Sequence, residues 1–233
     1  MGRGAGRRPA AGALKRTRPV TLFAPDPDRL NRLTHALGAV LAGPAACALV
    51  AKAALSGGLL AVLGCGIYGG SLFAVFACST LSHAFPHDRP RRKWWRAADQ
   101  AAIFALIAGS ATPFAIVHQR DWLGAAVMGG MWALAVVGGR RRLRAAGGDV
   151  GVAAAAFSGA MAWMTAAFLP RAYEVGGVEA VGWALGGLGF YGLGSVFLLN
   201  DHRDGLSWMH AVWHVCTLLG CACHWWFNWS VVL

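Results

Sequence analysis

Apolar residues fall into long blocks, and their lengths match helices that cross a membrane. A helix needs roughly 20 apolar residues to traverse a hydrocarbon core of ~30 Å. Seven blocks of about that length, low in formal charge, occur at Leu33–Val50, Gly57–Ala84, Ala97–Val117, Trp122–Gly138, Val150–Leu169, Val178–Leu199 and Ser207–Asn228. The pattern predicts an all-α, polytopic membrane protein built as a seven-transmembrane-helix bundle. Residues 1–32 then form a basic tail and residues 33–233 the transmembrane domain.

Breakers separate the blocks: Pro86 and Pro90 after the second, Gly147-Gly148 after the fourth, and Pro170 closing the fifth. Pro44 lies inside the first and predicts a kink. Small residues recur within the blocks, as in Gly182, Gly186, Gly187 and Gly189, which suits close helix packing where lipid supplies no hydrophobic drive.

Composition supports the bilayer and raises a competing idea. Of 233 residues, 57% are hydrophobic and 13% charged, with a mean hydropathy of +0.49, whereas soluble domains carry about 25% charge. Disorder, collagen and a disulfide scaffold are excluded by scarce charge, aperiodic glycine and only six cysteines. Cys47, Cys65, Cys78 and Cys216 lie in apolar blocks as small hydrophobes, and Cys221-x-Cys223 lacks the second pair a metal site of that type needs. A net charge of +11 would suit a nucleic-acid binder if it were spread over a soluble surface.

The charge is not spread. Eight Lys and Arg precede the first block, with five at Phe85–Arg96, four at Gly139–Asp149 and one at Asn200–Gly205; the alternate connections hold only Lys52, Arg120 and Arg171. By the positive-inside rule the N-terminus is cytoplasmic and the C-terminus outside, and no nucleic-acid partner is expected. Trp94, Trp95 and Trp208 mark inner helix ends, and Trp122, Trp225, Trp226 and Trp229 outer ones. The acid-free first 25 residues also have the composition of a transit peptide. The simpler reading is a basic tail lying against anionic headgroups.

This topology brings costly polar residues to one depth, just beneath the inner surface. His83 ends the second helix with Ser79 one turn earlier on the same face. Asp99 lies in the first turn of the third helix, and His210 and His214 open the seventh at i, i+4. That histidine spacing alone fits two packed residues as well as two ligands. The common layer of His83, Asp99, His210 and His214 turns the reading to a metal site. Three histidines with an open fourth position suit catalytic zinc, while structural zinc closes its shell, usually with cysteine. His35 begins the first helix from the same side, as ligand, as hydrogen-bond partner or simply as a helix start. His87 and His202 fall in loops, His118 on the outer side, and His224 about 15 Å along the helix from His214.

Four motifs in chain order resemble the haemolysin III branch of the progestin and adipoQ receptor family. They are Asp28-x-x-Asn31-x-x-Thr34-His35, Ser79-x-x-x-His83, Asp99-Gln-Ala-Ala-Ile-Phe with Gly109-Ser110-Ala-Thr112-Pro113, and His210-Ala-Val-Trp213-His214. Asp28 stands where the family usually has Glu. The resemblance implies a seven-helix bundle, N-terminus inside, with intramembrane zinc on His83, His210 and His214 and with Ser79 and Asp99 beside the reacting water. It also implies a bacterial inner-membrane protein of lipid homeostasis, with ceramidases among wider relatives.

The expected activity is zinc-assisted hydrolysis of an amide or ester in a membrane lipid. Asp99 passes the proton from water to leaving group, and Ser79 hydrogen-bonds the water or the oxyanion. Two other classes remain open on sequence: a non-catalytic sensor with structural zinc, and a lytic pore. The outer halves of the blocks hold chiefly Ala, Gly, Val, Leu and aromatics, so no polar stripe for a pore is evident.

Overall fold

The computed structural model describes residues 27–85, 89–145, 152–201 and 208–233. The basic tail to residue 26, the Asp28 side chain, Pro86, His87, Gly147-Gly148 and His202 lie outside the described residues.

Among the described residues there are seven α-helices: α1 Pro27–Lys52, α2 Gly58–Ala84, α3 Pro90–His118, α4 Trp122–Arg144, α5 Val152–Met164, α6 Leu169–Asn200 and α7 Trp208–Phe227. Four helical stretches are long and apolar enough to cross a membrane: Arg29–Ala84, Pro90–His118, Trp122–Arg144 and Val152–Asn200. The first, at 56 residues, is far longer than one crossing requires. It folds back on itself after a π-turn at Ala53–Gly57, where Gly58 takes φ 71°. An L side chain rarely adopts that conformation, so glycine sits at the reversal. The stretch Val152–Asn200 is likewise broken at Gly177, with φ 63° and ψ −157°.

α7 is not one of the four, because the histidines at 210, 214 and 224 lower its hydropathy. Pro44 sits within α1, which continues on both sides of it. Pro170 does not end a helix as expected: it lies in the first turn of α6, and the break falls seven residues later. First-turn N–H groups have no acceptor within the helix, so proline loses no bond there.

Sequential helices pack on one another, most extensively α2 with α1 and α3, α3 with α4, and α6 with α7. α7 returns to α1 and closes the ring. Two buried clusters result. Phe104, Phe114, Met131, Met161, Phe168 and Phe227 fill one, and Leu49, Tyr68, Leu72, Phe76, Leu106 and Cys221 fill the other. α3 contributes to both. Outward-facing Val40, Leu59, Phe73, Trp163, Val178 and Val196 are exposed, which in water would be unfavourable but suits a lipid surround.

The α1–α2–α3 seam depends on glycine. A Cβ at Gly69 would lie 2.6 Å from Ala46 Cβ, and one at Gly64 would lie 2.7 Å from the Pro113 backbone. Polar side chains tie the interior to backbone: Tyr68 Oη donates to Cys221 O at 3.2 Å, and Asn228 Nδ2 to Ser110 O at 3.1 Å. At the α3–α4 turn, Asp121 accepts from Gly124 N at 2.8 Å and caps α4. That bond and the Gln119 amide hold the Asp121 carboxyl below the usual range, so the cap persists above the ordinary carboxylate pKa and is lost as pH falls through the lowered one.

Gly64→Ala should therefore separate α2 from α3 and cost about 1–3 kcal/mol, the usual range for overpacking. Gly70→Ala, on the same helix with open space around it, should be near neutral. Thermal unfolding of both variants in detergent checks the contrast.

Candidate metal centre

α2 and α7 end together at one end of the bundle, and their histidines converge there. The ligand atoms of His83, His210 and His214 all lie within 4.8 Å of one another. Ring centroids are 4.5 Å apart for His210 and His214, 5.4 Å for His83 and His210, and 5.5 Å for His83 and His214. The i, i+4 spacing puts two imidazoles on one face of α7, and α2 supplies the third. His214 is buried; the other two are half-buried. Three neutral nitrogen donors converging this closely could hold a divalent metal.

The surroundings differ for each ring. Asp201 Oδ2, just past α6, lies 2.6 Å from His210 Nδ1. On α1, Thr34 Oγ1 lies 3.0 Å from His214 Nδ1. His35 places its ring edge-on to His214 at 3.7 Å, outside the three-histidine group, with its Nδ1 buried and without a hydrogen-bond partner among the described residues. The Arg32 guanidinium reaches His83 O at 3.4 Å, close to the end of α2.

Ser79 is almost fully buried, one turn from His83. α3 begins at Pro90, so Asp99 lies well inside the helix and not in its first turn as the sequence suggested; it interacts with the Ser79 hydroxyl and the Arg96 charge but is outside the group of three. Cys78 faces Asp99.

The remaining candidates stand apart. His118 lines a cavity of about 510 Å³ at the other end of the bundle, with Arg120, Arg171 and Glu174. His224 Nε2 lies 3.3 Å from Ala184 O, a polar contact further along α7. Cys221 and Cys223 are buried, and Cys221 Sγ accepts from Tyr191 Oη at 3.3 Å.

A family model described as haemolysin-III related matches residues 23–225. The chain belongs to the haemolysin III-related family. Its similarity extends to Hemolysin-3 of Bacillus cereus, 31% identical over 195 residues, covering 82% of this chain and 85% of that relative. It is also similar to the Hemolysin-3 homolog of Bacillus subtilis (strain 168), 28% identical over 193 residues, covering 82% and 88%. The match spans the described helices from α1 nearly to the end of α7, so the histidine centre lies within the haemolysin III-related region.

Sequence alone did not find Asp201 or the Thr34–His214 contact. The faint signal for Asp201 is an acid in a connection nine residues before His210. For Thr34 there is only its place beside His35, since its partner is 180 residues away.

Replacing His83, His210 or His214 singly by Ala should abolish roughly stoichiometric uptake of a divalent metal, while His118→Ala should leave it intact. Elemental analysis after metal loading and desalting reads the difference.

Proposed function

We propose that this member is a seven-span integral membrane protein with its N-terminus in the cytoplasm, and that it hydrolyses an amide or ester bond of membrane lipids at a zinc centre on His83, His210 and His214. Its role is upkeep of lipid composition in a bacterial inner membrane. The observation that carries the reading is the convergence of three imidazole donors within 4.8 Å, with no cysteine among them. That donor set fits zinc with a position left open for reaction.

Held by the three imidazoles, zinc would supply Lewis acidity toward a carbonyl and a water activated near pH 7. The chain's own groups supply the rest. The Asp99 carboxylate accepts the proton from the attacking water and returns it to the departing nitrogen or oxygen. The Ser79 hydroxyl, which interacts with Asp99, would hold that carboxylate in place rather than attack.

A lipid substrate is supported by an apolar cavity of about 560 Å³ among α1, α2, α6 and α7, lined by Gly38, Leu41, Leu72, Phe76, Trp183 and Trp226 among others. Its volume is in the range of small-molecule sites. Phe76 lies 5.5 Å from His35, which contacts His214, so an acyl chain in the cavity would run toward the histidines. Orientation is supported by charge. Arg32, Arg92 and Arg142 gather at the histidine end, bonding His83 O, Phe85 O and Gln100 Oε1, while Lys52 and Arg171 bond Trp229 O and His118 O at the other.

Asp99→Asn should lower hydrolysis of N-acyl lipids by about 10²-fold or more while zinc content and thermal stability persist. Turnover unaffected by Asp99→Asn, with zinc still bound, would make the metal a structural tie instead. Alkaline phosphatase fused after Leu233 should be active in whole cells and inactive when fused after Arg144; the reverse would overturn the orientation.

A further inference from the structure

We propose that Asp201 and Thr34 are positioning residues: each fixes the proton on Nδ1 of one α7 histidine, so that both rings present Nε2 to the centre. The proposal rests on the metal-centre reading above. A neutral imidazole has one protonated and one bare nitrogen, and the hydrogen bond at one determines which lone pair is free at the other.

For His210 the partner decides. Asp201 Oδ2 is 2.6 Å from Nδ1, and an ionised carboxylate only accepts. Nδ1 is therefore the donor and Nε2 keeps its lone pair. Both side chains are partly exposed, at 27% and 28%, so as a simple surface ion pair this contact would contribute little to stability. Its effect is on the tautomer.

For His214 the deciding group is a hydroxyl with one proton and several neighbours. Thr34 Oγ1 lies 2.9 Å from Asn31 O and 3.1 Å from Leu30 O, and carbonyls cannot donate. The hydroxyl proton goes to that backbone, leaving the Thr34 oxygen to accept from His214 Nδ1 at 3.0 Å. The Asn31 backbone is a further acceptor near the His214 ring. With the Thr34 proton committed to the backbone, His214 Nδ1 is the donor in this contact, and His214 too is left with a bare Nε2.

Neither anchor belongs to α7. Thr34 comes from α1 and Asp201 from the end of α6, the two helices on which α7 packs. The His-x-x-x-His pair sets the direction of the rings, and its neighbours set which atom each ring offers.

The test uses the full chain in detergent. Zinc affinity is measured by chelator competition, and ring tautomers by ¹⁵N NMR of metal-free, histidine-labelled protein at alkaline pH, where imidazoles are neutral. Native protein should show Nδ1–H at His210 and His214. Asp201→Ala and Thr34→Val should each weaken zinc binding by about 10–100-fold and move the affected ring toward Nε2–H. Thr34→Ser, which keeps the hydroxyl, should restore affinity and tautomer. Nε2–H at either ring in the native protein, or native zinc affinity in both anchor-deleted variants, overturns the proposal. If native protein binds no zinc, the metal-centre reading fails, while the metal-free spectrum still decides the tautomers.

Discussion

The hydrogen bond between Thr34 and His214 joins the first helix to the last. It is also the contact around which the polar end of the bundle is arranged. A buried imidazole in a bilayer has no water to satisfy it, and leaving a nitrogen unpaired is costly. His214 is satisfied only if α1 and α7 meet in this register, and that meeting closes the helix ring. Once α7 is seated, its helical repeat places His210 one turn away, and the pairing of α2 with α1 brings in His83. The glycine seam lets this occur, since α2 could not approach Ala46 and Pro113 as closely with side chains at Gly69 and Gly64.

Much of this was legible in the sequence, for identifiable reasons. The apolar blocks report helices because length and hydropathy are local properties. Ser79 and His83, or His210 and His214, share a face because one helical turn puts residues four apart together. The charge asymmetry put His83 and the α7 pair at one depth, and the structure brings those three rings together at one end of the bundle.

What was not legible depends on contacts between distant segments. Asp201 is one acid in a short connection until the turn into α7 brings it to His210. The sequence left His35 as ligand, partner or helix start, and only the packing of α1 on α7 places its ring against His214 and outside the three-histidine group. Pro170 misled for a local reason: proline disrupts a helix interior but is well accommodated in a first turn, and nothing in the residue itself says which it is. α7 was found as the seventh apolar block even though its histidines lower the hydropathy by which membrane helices are recognised.

Gly58 and Gly177, both with positive φ, lie near the same end of the molecule. Their preceding neighbours, Gly57 and Gly176, approach Leu233 and Val231. His83, His210 and His214 occupy the opposite end. The two ends should therefore tolerate substitution by different rules. At Gly58 and Gly177 the backbone itself disfavours a side chain, whatever its polarity. At His83, His210 and His214 the property the three residues share is a ring nitrogen with a lone pair to offer, which no side chain chosen for shape alone reproduces.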